Sequence, residues 1–245
     1  MKQTSPSTMK LSSQSIQTSV FKKGMDLYPF LFSFLKHYPL ERKVLAVTSK
    51  VISMAENRFV PKSSVEKKDL ILKQSQAYLG SGLHGMELTI SQNILIPSAG
   101  IDESNSENED YILYPKHPYE SAQKLYLALQ TEFALTHFGV IITDSHSTPL
   151  RRGVVGIALA HWGIQATKSL IGKPDLFDRN LKFTHVNVID SLASAAVLTM
   201  GEAAECTPMA VLECDKLEFT KTSSSKEITI PPSEDLYFSA LKLLK

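Results

Sequence analysis

Apolar positions along this chain follow two periods, and the two alternate. Residues 25–39, MDLYPFLFSFLKHYP, set Leu27, Phe30, Leu31, Phe34 and Leu35 on one face at helical spacing. Phe32 widens that face, and Pro29 fits the first turn. Residues 43–53 contain VLAVTS, a buried strand passing into a helix near Lys50. Ser63 or Ser64 is placed to cap the next helix, with Glu66 in its first turn and an end near Leu79. Gly80, Gly82 and Gly85 then break the chain. One or two strands follow over 86–96. Residues 99–110, AGIDESNSENED, are too polar for a core and read as a long acidic loop. A strand returns at 111–114. A helix spans 118–135, with Ala122, Leu125, Leu127, Ala128 and Leu129 on or near one face.

The stretch 139–156, GVIITDSHSTPLRRGVVG, organises the rest. Val140, Ile141 and Ile142 are β-branched and read as a buried strand. That strand ends in Thr143, Asp144 and Ser145. A polar loop leads to Arg151 and Arg152, and a second apolar run covers 154–160. Residues 163–181 read as loop and short helix, and 182–189 as a strand. Asp190 or Ser191 is placed to cap the helix LASAAVLTM, which stops at Gly201-Glu202. A strand at 208–213, a linker at 222–225 and an amphipathic helix at 233–244 close the chain. Interleaved strands and helices predict an α/β (mixed α+β) fold. The expected division is a polar tail at 1–15, one domain of two interleaved subdomains at 16–220, and a linker with a helix at 221–245.

Composition narrows the function. A net charge of +1 gives no electrostatic case for nucleic acid or a membrane surface. No apolar run approaches the roughly 20 residues of a membrane span. Cys206 and Cys214 make neither a disulfide framework nor a four-ligand zinc site, and the default setting is cytoplasmic and reduced. The seven histidines are scattered without a zinc spacing. GxGxxG, GxxxxGK[ST] and GxSxG are all missing.

What remains is oxygen and guanidinium chemistry. Asp102 follows a glycine in the acidic loop, Asp144 and Ser145 end a strand, and Glu202 ends a small-residue helix. Each alone reads equally as a turn, strand-end or helix-end carboxylate at a surface. Converging, they suit Mg²⁺ or Mn²⁺, which prefer oxygen ligands and keep waters for phosphate. Arg151 and Arg152 can fork onto phosphate or carboxylate, or simply be solvated at the tip of a hairpin.

At these residues the chain resembles the γ-glutamyl ligases of coenzyme F-420, the deazaflavin hydride carrier. Their S-T-V-I-S-K-A-E-G-R reads SKVISMAENR at 49–58 here. Their A-G-I-D-x-S-N is intact at 99–105. L-L-P-x-x-P-x-x-S-A appears as LYPKHPYESA at 113–122. G-V-I-I-T-D-T and R-R-G-V-V-G correspond to 139–145 and 151–156. G-x-x-D-L-x-x-R corresponds to 172–179, and M-G-E to Met200, Gly201 and Glu202. Order and rough spacing hold from about 43 to 213.

The resemblance implies a two-part α/β fold, a homodimer, and two divalent cations beside a guanine nucleotide. Asp102 and Asp144 would hold one metal. Ser145, in place of threonine, would hold the second with Glu202. Ser49 and Asn105 would contact the nucleotide, GTP or another NTP. The implied reaction phosphorylates a carboxylate on the acceptor, and the amine of L-glutamate attacks the acyl phosphate. The acceptor is the deazaflavin coenzyme or, as rival, tetrahydrofolate. Arg151 and Arg152 would stabilise the charge that develops. The chain departs from the pattern in four places. The family's N-terminal G-L-P nucleotide segment has no clear counterpart near Val20 to Leu27. Met54 replaces a lysine, which Lys50 could replace from one turn earlier. His146-Ser147-Thr148 replaces x-G-R. Ala203-Ala204-Glu205-Cys206-Thr207 replaces a glycine-rich run that lets backbone approach phosphate. These departures also admit a non-catalytic metal- or nucleotide-binding or regulatory protein on the same fold.

Overall fold

The structure, a computed structural model, describes residues 9–104 and 110–238. In chain order it begins with β1 (Leu11–Ile16), α1 (Leu27–Leu35), β2 (Val44–Thr48) and α2 (Ser49–Ala55). Next come β3 (Phe59–Pro61), α3 (Lys67–Gln74), β4 (Ala77–Ser81), β5 (Glu87–Ser91), β6 (Ile94–Pro97) and β7 (Asp110–Ile112). They are followed by α4 (Pro118–Phe133), β8 (Gly139–Ser147) and β9 (Val154–Trp162). Then come β10 (Thr167–Ser169), β11 (His185–Asn187), α5 (Val188–Met200) and β12 (Met209–Cys214).

The main sheet has the order β1-β12-β2-β8-β9, with β2 and β8 parallel and the other pairs antiparallel. Its central strands are apolar on both faces because helices cover both. Leu45, Val47, Val140, Ile142, Met209 and Val211 join Leu31 and Leu35 of α1 and Leu125 and Leu129 of α4. Their neighbours Val44, Ala46, Ile141, Ala210 and Leu212 join Ile189, Leu192, Ala193 and Ala196 of α5. The period of two along each strand therefore sorts side chains between two cores. Small residues let α5 lie close to the sheet. A Cβ at Gly156 would come within 2.3 Å of the Ala193 carbonyl oxygen, and Ser194 Oγ donates to the Gly156 carbonyl at 2.7 Å.

Between α2 and α4 the chain builds two smaller sheets, β3-β7 and β4-β5-β6, with α3. Leu70, Tyr111 and Leu113 form their own cluster, while Ile96 and Tyr114 belong to the main core. The mixed α/β architecture expected from the sequence is what the chain forms.

Several local expectations change. Residues 11–15 are not tail but part of β1, an edge strand whose six residues pair with β12. Its composition, LSSQSI, carries too little apolar signal to be read as a strand, since an edge strand buries little. Ser63 and Ser64 lie in a single 3₁₀ turn, and Glu66 is the N-cap residue of α3. That helix ends at Gln74 because the Gln76 N–H bonds Ile90 of β5 and residues 77–81 join the small sheet. Tertiary pairing outweighs helical propensity there. The cap of α5 is Asn187, whose side-chain oxygen accepts from the Asp190 N–H at 3.1 Å. No helix forms over 163–181; β10 pairs with β11 instead. Turns occupy 232–234 and 236–237, and half of the expected closing helix, 239–244, lies outside the described residues.

Candidate active site

The site begins where β8 leaves the core. Thr143 is buried, and its register with β9 slips at this point: Ile142 pairs with Ala160 but Thr143 with Ala158. Leu159 is the extra residue of a β-bulge. Bulges bend a strand and re-aim the side chains beyond it, often beside active sites. Just past it, Asp144 and Ser145 line a cavity of about 740 Å³.

Several other segments line that cavity, residues 18–21 among them, and three of them carry the other residues of interest. From α2 come Lys50 and Met54, one helical turn apart. The 98–104 loop brings Asp102. The end of α5 and its following turn bring Met200 and Glu202. Asp102 is anchored by a reciprocal backbone pair with Ile112, at 2.9 and 2.8 Å. Its carboxylate accepts from the Ser104 N–H at 2.7 Å and from Ser104 Oγ at 2.8 Å. Lys50 Nζ lies 2.6 Å from its other oxygen and donates to Ser104 Oγ at 2.9 Å.

Tyr114 is the partner that sequence reasoning missed. Its hydroxyl donates to Asp144 Oδ2. Gly100 makes room for the ring: it has φ +70°, and a Cβ there would lie 2.0 Å from the ring. The glycine in AGID is thus explained by a tyrosine fourteen positions away in sequence. The available signal was a tyrosine standing where the family pattern has leucine, since a buried phenol needs a partner.

Burial pushes the Asp144 carboxyl up to about 6, against the lowering effect of Tyr114 and the Ser145 N–H. The charges of Asp102 and Glu202 push it further in the same direction. The three carboxylates singled out in the sequence therefore sense one another in one cavity. They are not drawn into a ready cluster. Among the described residues no group of three or more His, Cys, Asp or Glu side chains is arranged to hold a metal ion. In this arrangement Lys50 occupies Asp102, and Tyr114 occupies Asp144.

The remaining predicted residues divide. Ser145 lines the cavity. Ser49 is buried at the start of α2 and does not line it. Asn105 lies outside the described residues. Arg151 and Arg152 are exposed in the loop between β8 and β9 and do not line the cavity. Beyond α5, Gly201 has φ +81°, and the Glu205 carboxylate folds over it to accept the Ala203 N–H at 2.8 Å.

The family model described as F420-0:Gamma-glutamyl ligase matches residues 15–213. The chain belongs to that family. Relatives named coenzyme F420:L-glutamate ligase align with most of this chain and with most of their own length. The one from Archaeoglobus fulgidus is 32% identical over 240 residues, covering 91% of this chain and 94% of that protein. The one from Methanopyrus kandleri is 31% identical over 217 residues, covering 80% and 86%. The Methanocaldococcus jannaschii protein is 30% identical over 240 residues, covering 91% and 94%. The family stretch contains every wall of the cavity described above. Among the described residues, no helix is long and apolar enough to cross a membrane.

Proposed function

We propose that this chain is a divalent-metal- and nucleotide-dependent γ-glutamyl ligase. It joins the amine of L-glutamate to a carboxylate on a cofactor acceptor, a deazaflavin of the F-420 type or a tetrahydrofolate, through an acyl phosphate. The observation that carries this reading is the shared cavity. Asp102, Asp144, Ser145 and Glu202 reach it from three segments, and Lys50 and Lys67 line it too. Family membership supports the same conclusion.

The donor set fits Mg²⁺ or Mn²⁺. It is made of carboxylates and a hydroxyl, and burial, with a smaller push from the charges of Asp102 and Glu202, holds Asp144 high until positive charge arrives. Asp102, Asp144, Ser145 and Glu202 would hold the metal. A bound divalent ion supplies charge neutralisation for phosphoryl transfer. Lys50 and Lys67 attract the nucleotide's phosphates, with Lys50 standing in for the cation lost at Met54. Tyr114 fixes the Asp144 rotamer. Asp102, tied to Ile112, supplies a rigid second carboxylate. No side-chain nucleophile is required, because glutamate's own amine attacks the activated acyl group. Dimerisation and GTP preference belong to this reading through the family resemblance.

Incubation with nucleotide, Mg²⁺ or Mn²⁺, labelled glutamate and each acceptor is the direct test. The expected outcome is a glutamylated product with one acceptor and release of phosphate. No product with either acceptor sinks the reading. One observation favours the second reading, a binding or regulatory protein. The Glu205 carboxylate takes a backbone N–H in the turn beside Glu202, where a phosphate would meet repulsion. On that reading nucleotide binds weakly and Asp144→Ala leaves cofactor glutamylation in the host unchanged.

A further inference from the structure

A second cavity, of about 530 Å³, adjoins the first. His146 and Ser147 line both, so the end of β8 is the partition between them. The bulge in β9, opposite Thr143, lies in its wall. Ala158 and Leu159 line it, and Asp190 Oδ1 accepts the Ala158 N–H at 2.9 Å.

The far wall is the segment 225–229, which lies beyond the family-matched stretch. It is held firmly. Glu227 closes a capping box on the 3₁₀ turn Ser225–Glu227, accepting the Ser224 N–H at 2.7 Å. Its other oxygen lies 3.6 Å from Nε2 of His161, which is fully buried. His161 Nδ1 in turn meets the Tyr119 hydroxyl at 3.0 Å, and Tyr119 lines the cavity. Burial pushes the His161 imidazole down and the Tyr119 phenol up, so both are neutral at neutral pH. The capping box orders this wall, while the buried His161 Nε2 has no hydrogen-bond partner.

The lining says what would fit. Ile94, Leu159 and Ile228 offer apolar contact, while Asn93, Ser225 and Thr229 offer hydrogen-bonding groups. Lys116 is balanced by Glu120 and Asp190, so a polyphosphate gains little here. The first cavity sets Lys50 and Lys67 among Asp102, Glu103, Asp144, Glu202 and Glu205, so on the ligase reading phosphate enters it together with a divalent cation. The volume is within the range of small-molecule sites, roughly 300–1,000 Å³.

We infer that this second cavity binds the neutral heteroaromatic head of the acceptor, and that the acceptor's carboxylate tail passes His146 and Ser147 to reach Asp144. The inference rests on the ligase reading and assigns that reading a separate acceptor site. Specificity for the head then lies in 225–229 and at the β5–β6 turn, not in the metal cavity.

The test uses the intact chain and two fluorescent probes, a deazaflavin with a free carboxylate tail and a tetrahydrofolate. Thr229→Trp and Ser225→Trp narrow the cavity from two positions. The expected result is a tenfold or greater loss of affinity for whichever head binds wild type, with nucleotide affinity changed less than twofold. Hydrogen exchange on wild type provides a readout that needs no variant. The head should protect 92–95 and 225–229, and nucleotide should protect 197–207. Head affinity that survives both substitutions, or protection elsewhere, overturns the assignment. Nucleotide binding without either head also overturns it and leaves the phosphoryl-transfer reading standing. Head protection at 225–229 without nucleotide binding upholds the assignment and strikes the nucleotide-dependent reading instead.

Discussion

The base and the tip of the β8–β9 hairpin carry equally suggestive residues and behave differently. At the base, Asp144 and Ser145 emerge from a strand whose preceding residues are fully buried and whose partner β9 carries a bulge opposite Thr143. At the tip, Arg151 and Arg152 follow Leu150, which is wholly exposed with φ +60°. Six positions of sequence separate Ser145 from Arg151. A side chain is positioned for chemistry when the backbone beneath it is held by a core, and only the base meets that condition. The comparison can be broken or sharpened by substitution, and the largest effect is expected at the base.

Asp144→Asn should lower ligation on the order of 10³-fold, the scale for removing a preorganised charge-stabilising group. Thermal unfolding without metal should show the opposite sign. The folded carboxyl sits at about 6, above its ordinary 3.8, so the folded state binds more protons than the unfolded state between those values. Stability therefore falls as pH rises from about 4 to 6, by about 3 kcal/mol for roughly two pH units. Asp144→Asn should remove that fall and raise Tm at pH 8. A loss of Tm together with unchanged activity would place the chemistry elsewhere.

Gly100→Ala tests how the base is built. The new methyl meets the Tyr114 ring at a positive φ, and the expected loss is about 2–4 kcal/mol by denaturant unfolding. Tyr114→Phe keeps the ring and removes only the hydroxyl, so stability should change far less while the Asp144 titration shifts. Lys50→Met comes next. Removing a cation that binds Asp102 should weaken nucleotide binding roughly 10- to 100-fold, the scale of one hydrogen bond to a charged group.

These residues also mark what the sequence could reveal. The strands β2 and β8 were legible because both their faces are buried and their apolar runs are unbroken, and α5 because its apolar positions recur at helical spacing on one buried face. The edge strand β1 was not, because half-exposed serines and glutamine carry no period. Asp102, Asp144 and Glu202 were each ambiguous alone, and their convergence became readable through collinear family motifs. Tyr114 and Gly100 were missed because the contact is a long-range steric fit that no local pattern encodes. Ser49 was misplaced by adjacency: it begins α2, yet the helix turns Lys50 to the cavity and Ser49 into the core.

A smaller effect follows from the titration at the base. Metal binding at Asp144 must displace a proton below about pH 6, so Mg²⁺ or Mn²⁺ affinity should fall about tenfold for each further pH unit. Titration calorimetry at pH 5, 6 and 8 measures this. A pH-independent affinity would remove Asp144 from the ligand set.

The smallest binding effect is expected at the tip. Arg151→Ala and Arg152→Ala should change nucleotide affinity less than about twofold, since exposed charges outside the cavity contribute little and are screened by salt. Turnover is the sharper measurement. If kcat falls while nucleotide affinity holds, the tip acts only once substrates are in place, through a hairpin that bends toward the cavity or a second copy that receives it. If both stay unchanged, the arginine pair is a solvated turn, and its match to the family pattern reflects hairpin geometry. If affinity falls tenfold or more, the contrast between base and tip is wrong. The guanidinium groups would then reach phosphate from outside the cavity wall, and backbone burial would not be the condition that selects functional residues here.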